Sequence, residues 1–125
     1  MRNKITKIQV LNRNSDFCKL YRKGKFQASD VLVTYVLNKR TESEPRIGIT
    51  TSKKIGGAVI RNRSRRTIKE AYRKLLCCVK NGYDIVFVAR SCTYKAKSYD
   101  IATCMHEHLK KLGVIKNEAF NNKIN

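Results

Sequence analysis

Between Ser52 and Arg73 the chain reads SKKIGGAVIRNRSRRTIKEAYR. Eight of these residues are Lys or Arg, and Glu70 is the only acid among them. Cations packed this densely repel one another unless a polyanion neutralises them. Arginine suits that partner, because its guanidinium grips phosphate oxygens through two parallel hydrogen bonds. Gly56 and Gly57 carry no side chain and let a phosphate approach the backbone. An apolar-periodic segment follows, so a helix should start near Gly57 or Ala58, and the free N–H groups of its first turn favour an anion. At about 100° per residue, Asn62, Arg66, Lys69 and Arg73 share a sector of roughly 60°. That sector lies a quarter turn from the apolar stripe, so these four can face a partner while the stripe is packed. Arg61 and Arg65 project on the core side but precede the stripe, so they should reach past the sheet edge. Asn62 can bond a sugar, a base or a neighbouring arginine. Most runs of charge are solvated faces, but the composition of the whole chain weighs against that reading.

The 125 residues carry 28 Lys and Arg against nine Asp and Glu, a net charge of +19, with a sequence pI near 10.1. Nucleic acid is the first partner such a field selects, since each neutralised phosphate releases counterions. An anionic membrane is excluded as the main partner: no run approaches the ~18 apolar residues of a spanning helix, and no helix pairs a basic face with a strongly apolar exposed one. The N-terminus, MRNKITKIQVLNR, lacks the apolar core of a signal peptide. A soluble cytoplasmic protein is expected. The five cysteines are odd in number and contain no C-x-x-C pair, so they read as reduced thiols.

Catalytic chemistry is poorly supplied. A metal nuclease needs clustered carboxylates, and the nine acids are scattered; Glu42 and Glu44 are close but sit in a basic turn. On a helix Cys104 and His108 share a face while His106 points away, so they do not assemble a zinc site. No Ser-His-Asp or Cys-His arrangement is indicated. The expectation is no catalytic residue and no metal site on this chain.

The elements that position the basic stretch read as αβββαβα in one domain, 1–125, with 1–13 a flexible basic arm and 114–125 a frayed tail. Ile8, Val10 and Leu11 should dock the arm. Asn14 or Ser15 can cap a short helix over 15–23, with Phe17, Leu20 and Tyr21 at helical spacing and Gly24 as its stop. Period-two alternation over 25–38 sets Val31, Val33, Tyr35 and Leu37 on one strand face and Leu32, Thr34 and Val36 on the other. Pro45 marks a third strand, 46–52, and an antiparallel meander is expected of these segments. The central helix should run to about Val79, buried through Ile68, Ala71, Tyr72, Leu75, Leu76 and Val79. Residues 83–90, apolar on both faces, read as an interior strand. A last helix, 99–112, buries Ile101, Met105, His108, Leu109 and Leu112.

The string KKIGGAVIRNRSRRTIKEAYR resembles the signature of the bacterial ribonuclease P protein component. In that family K-K-x-G-x-A-x-x-R-N-R-x-[KR]-R-x-x-[KR]-E-x-[FY] opens the long helix. Lys53, Lys54, Gly56, Ala58, Arg61, Asn62, Arg63, Arg65, Arg66, Lys69, Glu70 and Tyr72 carry it here. Asp16-Phe17 and Tyr21 before Gly24, the strand RIGITTS, and a late strand ending in Ala89-Arg90 extend it over roughly residues 8–112. Gly57 departs from the family's more frequent Asn, which removes a cap or a polar contact.

The resemblance implies the protein subunit of a ribonucleoprotein that cuts the 5′ leader from precursor tRNA. It implies an RNA subunit that carries the catalysis and most of the Mg2+, with none held tightly by the protein. The implied fold is an α/β two-layer sandwich like the second domain of a small-subunit ribosomal protein, with a left-handed βαβ crossover. The implied RNA-subunit site is Lys53, Lys54, Arg61, Asn62, Arg63, Arg65, Arg66, Lys69 and Arg73. No protein partner is implied. A single-stranded leader needs a stacking platform with basic neighbours. Phe17, Tyr21, Phe26, Tyr35 and Phe87 are the aromatic candidates; the resemblance favours Phe17, Tyr21 and Tyr35, and Lys53 can supply charge. Phe87 is included in the leader set, although its strand also suits a core role. A structural RNA-binding protein on the same fold is the competing reading.

Overall fold

The computed structural model describes residues 8–116. The elements in chain order are β1 (Gln9–Val10), α1 (Asn14–Lys23), β2 (Lys25–Ala28), β3 (Leu32–Asn38), β4 (Arg46–Thr50), α2 (Ala58–Leu75), β5 (Tyr83–Ala89) and α3 (Ser98–Lys111). Short 3-10 turns cover Lys53–Ile55, Leu76–Cys78 and Thr93–Lys95. The fold is α+β: a five-stranded mixed sheet in the order β1-β4-β5-β3-β2, with helices on both faces.

The expected meander does not form. β3 pairs antiparallel with β2 and with β5, and β4 pairs parallel with β5 and β1. β5 therefore lies between β3 and β4. Its sequence explains the place, because Ile85, Val86 and Phe87 are buried on both faces and only a central strand is covered twice. The linker 39–45 crosses the entrance to β5. Lys39 N–H donates to Gly82 O, and Gly82 N–H donates to Ser43 O, both at 2.7 Å. Gly82 has φ +90, and a Cβ there would come within 2.5 Å of Thr41 O, so both backbone and space require glycine.

One face of the sheet carries the main core. Ile47, Ile85, Phe87, Leu32 and Val36 meet Ile68, Ala71, Tyr72 and Leu75 of α2 and Ile101, Met105 and Leu109 of α3. Each large side chain so buried contributes about 1.5–3 kcal/mol of transfer free energy. Among the described residues the other face is covered by α1 and the segment before it, through Leu20 and Leu11 with Val86 and half-buried Phe17, Tyr35, Leu37 and Val88. The alternation read for 32–37 thus divides correctly, the Leu32–Thr34–Val36 face being the more buried.

Several boundaries differ from the sequence reading. α1 starts at Asn14 with Arg13 as its cap residue and no capping side chain; the Arg13 carbonyl instead accepts from the N–H groups of Asp16 and Phe17. α2 ends at Leu75 and tightens into a 3-10 turn over Leu76–Cys78 instead of running to Val79. The tail expected to fray from residue 114 is docked as far as 116. Val114 and Ile115 are buried, Ile115 bridges Val79, and Lys116 N–H donates to Cys78 O at 2.7 Å. The arm pairs with β4 through β1 and buries Leu11. The remainder of the arm, 1–7, and of the tail, 117–125, lies outside the described residues.

Candidate nucleic-acid interface

The chain leaves β4 at Thr50 and makes a 3-10 turn at Lys53–Ile55 before α2 begins. Gly56 sits at φ +148, where a Cβ would press on Ile60 at 2.9–3.0 Å. Gly57 differs: its backbone is extended and a Cβ would meet nothing within 4 Å. It is the cap residue of α2, and no side chain caps the helix. The departure from Asn therefore leaves the first-turn N–H groups open to a ligand.

The cations of α2 reach two sides of the helix: Arg65 and Lys69 line a cleft at the sheet edge with Phe17 and Ile49, and Arg63 and Arg66 line another on the side of Lys95 and Lys97. Asn62, Arg66, Lys69 and Arg73 are all exposed, and so are Lys53, Lys54, Arg63 and Arg65. Ser64, Ile68, Ala71, Tyr72 and Leu75 hold the opposite side of α2 in the core. Arg65 reaches the sheet edge, donating to Thr51 Oγ1 at 2.7 Å and to Asn62 Oδ1 at 3.5 Å. Arg61 is half-buried and donates to Gly56 O at 3.1 Å, which ties it to the glycine turn. A row of cations is thus held on a helix whose other face cannot rotate away from the sheet.

The aromatic candidates separate into two groups. Tyr35 on β3 is the centre of a cluster on the α1 face. The Tyr21 ring meets it edge-on at 5.0 Å, and Phe26 on β2 lies tilted at 5.5 Å. The Tyr21 hydroxyl is 2.8 Å from Thr50 Oγ1, which fixes α1 over β4. Phe17 is half-buried against Gly48, where a Cβ would come within 2.4 Å of its ring. Phe26 is 57% exposed and Tyr21 41%, so the cluster has an open side.

Phe87 does not belong to it. Its ring is fully buried on the opposite face, 5.7 Å from Tyr72. The pairing explains the correction: Phe87 lies opposite Ile49 and Thr34, which point into the helix layer, whereas Val86 and Val88 point toward α1. Phe26, whose strand β2 is the sheet's outer edge, is the residue that sequence reasoning undervalued. Its place beside Tyr35 comes from the β2–β3 register, in which Phe26 lies opposite Tyr35, and alternation along the chain does not reveal that pairing.

Other polar groups are structural. Asp84, buried and paired across the sheet with Leu37, accepts from Arg46 Nε at 3.0 Å and Nη2 at 2.8 Å. That hydrogen bond holds the Arg46 guanidinium above its ordinary pKa. Cys104 Sγ lies 2.9 Å from Ser29 Oγ and 3.6 Å from His108 Nε2, and His108 Nδ1 lies 2.9 Å from Thr34 Oγ1. Burial pushes the Cys104 thiol up and the His108 imidazole down, so both are neutral at pH 7. Among the described residues no three His, Cys, Asp or Glu side chains come together to hold a metal ion. Among them, too, no helix is long and apolar enough to cross a membrane.

A family model described as Ribonuclease P matches residues 5–113. The ribonuclease P protein component of Alkaliphilus oremlandii is 41% identical over 108 residues, covering 86% of this chain and 94% of the relative. That of Clostridioides difficile is 43% identical over 105 residues, covering 83% and 91%. Among solved structures, the RNase P protein of Staphylococcus aureus superposes with a TM-score of 0.74 at 30% identity, covering 86% of this chain and 98% of that one. The RNase P protein from Thermotoga maritima, at 23% identity and a TM-score of 0.68, shares the fold.

Proposed function

The chain belongs to the ribonuclease P protein family, the accessory protein subunit of the tRNA-processing endoribonuclease, and on that premise we propose how its two surfaces divide the work. The start of α2, with Lys53, Lys54, Arg61, Asn62, Arg63, Arg65, Arg66, Lys69 and Arg73, docks the RNA subunit. Phe17, Tyr21, Phe26 and Tyr35 receive the single-stranded 5′ leader of precursor tRNA, with Lys53 supplying charge beside them. Catalysis and the Mg2+ it uses are assigned to the RNA subunit, as membership of this family implies. A cytoplasmic site of action goes with this role.

The observation that carries the reading is the separation of the two surfaces. The arginines sit on the helix layer and its edge, and the Tyr21–Tyr35–Phe26 cluster lies on the α1 face of the sheet; the two surfaces adjoin at the sheet edge, where Phe17, Arg65 and Lys69 line one cleft. The protein can therefore hold both RNAs at once. Neutralising backbone phosphates releases counterions and supplies affinity without sequence preference. A stacked leader base adds about 1–3 kcal/mol that mature tRNA cannot gain. The chain's contribution is to bind, to orient and to offset repulsion between two polyanions, which matters most when Mg2+ is scarce.

Reconstitution with ribonuclease P RNA and precursor tRNA at low Mg2+ tests the proposal. The protein should stimulate cleavage at the mature 5′ end. Binding to the RNA with no stimulation would leave a structural RNA-binding protein instead.

A further inference from the structure

On the side of α2 away from the sheet edge, the chain builds a second basic groove of about 560 Å³. Arg63, Arg66, Thr67 and Glu70 of α2 form one wall, and Lys95 and Lys97, from the segment leading into α3, form the other. We propose that this groove is a further RNA-subunit site, in which Lys95 and Lys97 grip the sugar–phosphate backbone of the strand that Arg63 and Arg66 contact from α2. The proposal rests on the docking role of α2 given above.

Four cations face one another across the groove, and among the described residues none has an ion-pair partner. The single carboxylate in the groove, Glu70, lies 3.9 Å from the Lys74 ammonium, so that pair is locally balanced. Like charges brought together this way destabilise the fold unless an anion joins them.

The second wall is held in place. Thr93 is fully buried. Its Oγ1 donates to Val31 O at 2.6 Å and accepts from the Arg90 N–H at 2.8 Å. The 3-10 turn that carries Lys95 is thereby pinned to the β2–β3 bend. Lys95 Nζ sits 5.8 Å from the centre of the Tyr94 ring, which restrains its long side chain.

Two arguments select the occupant. Arg66 belongs both to this groove and to the outward row of α2, so a strand lying on that row continues into the groove. The leader is excluded by position: α2 and α3 pack on one face of the sheet and the Tyr21–Tyr35–Phe26 cluster lies on the other.

The test is the salt dependence of affinity for ribonuclease P RNA. It compares the wild-type chain, Lys95→Ala/Lys97→Ala, Lys95→Arg/Lys97→Arg, Lys110→Ala/Lys111→Ala as a charge-matched control at the far end of α3, and Arg65→Ala/Arg66→Ala. Each phosphate that a variant no longer neutralises reduces the log–log salt slope by about 0.7–0.9. Lys95→Ala/Lys97→Ala should lower that slope by about 1.5 and weaken binding roughly tenfold relative to the control. The arginine replacements should restore both. Precursor-over-mature tRNA selectivity should stay at its wild-type value. If the lysine variant matches the control while Arg65→Ala/Arg66→Ala weakens binding, the groove proposal is overturned and the α2 reading stands. If all variants bind as wild type does, both fall. Weaker binding with an unchanged slope, or a loss confined to precursor selectivity, also overturns the groove.

Discussion

Replacing Phe26 with alanine should cost the protein its leader before it costs the protein its fold. Phe26 sits on the edge strand β2 with 57% of its surface exposed, and among the described residues its aromatic neighbour is Tyr35 at 5.5 Å. Losing that pair costs about 0.5–1.5 kcal/mol of stability, well inside the 5–15 kcal/mol a domain typically has. A stacked nucleobase is worth about 1–3 kcal/mol, which is roughly a five- to 150-fold change in affinity. The assay is the ratio of dissociation constants for precursor and mature tRNA, measured with the reconstituted ribonucleoprotein. Phe26→Ala should lower the preference for precursor by that factor and leave the affinity for mature tRNA unchanged. Phe87→Leu is the counterpart. Its ring is fully buried against Tyr72, so the change should lower the melting temperature through about 1–2 kcal/mol of weakened packing and leave the ratio alone. The reasoning is refuted if Phe26→Ala keeps the wild-type ratio, or if Phe87→Leu shifts the ratio as far as Phe26→Ala does.

Gly48→Val should destabilise the protein by about 1–3 kcal/mol, because even a Cβ at that position would lie 2.4 Å from the Phe17 ring; thermal unfolding reads this directly. The fold should also weaken on mild acidification. Burial, and next to it Lys111, holds the His108 pKa below 6.5 in the native state, so the unfolded chain takes up the proton first. Stability is then complete above the unfolded value near 6.5 and is lost as pH falls through it. His106 is shifted the same way by burial and Lys110. The urea midpoint should fall between pH 7.5 and 5.5, and His108→Gln should show a smaller fall.

The sequence carried local information well. Apolar spacing located α2 and its buried stripe, and the same geometry placed Arg65 toward the sheet edge, where it reaches Thr51; Lys69, read with the outward row, lines the edge cleft beside Arg65. The two apolar faces of residues 85–87 marked β5 as interior. Non-local pairing was not legible. Alternation tells which residues share a face but not which strand lies alongside, so it could not show β5 inserted between β3 and β4. The same ambiguity misplaced Phe87: on a strand covered on both sides, periodicity cannot say which face belongs to the helices. Val114 and Ile115 looked like the start of a frayed tail because their partner, the turn after α2, is more than 30 residues away. Lys95 and Lys97 lie between the strand read for 83–90 and the helix read for 99–112 and carry no signal of their own, because only the fold brings Thr93 to Val31 and so pins them beside Arg63 and Arg66. Gly57 was legible as a departure from the family, but only the open space around it shows that the change is tolerated without rearrangement.

The central claim is that one face of this protein holds the RNA subunit and another holds the leader. Its most direct test sets Arg61→Ala, Arg65→Ala and Arg66→Ala against Tyr35→Ala. Both affinity for ribonuclease P RNA across salt concentrations and precursor-over-mature tRNA selectivity are measured for each. Each arginine variant should weaken RNA-subunit binding by about 1 kcal/mol or more and reduce the salt slope by about 1. Tyr35→Ala should leave that binding intact and lower selectivity for precursor by about 1–3 kcal/mol. One shared phenotype for both sets would contradict the account.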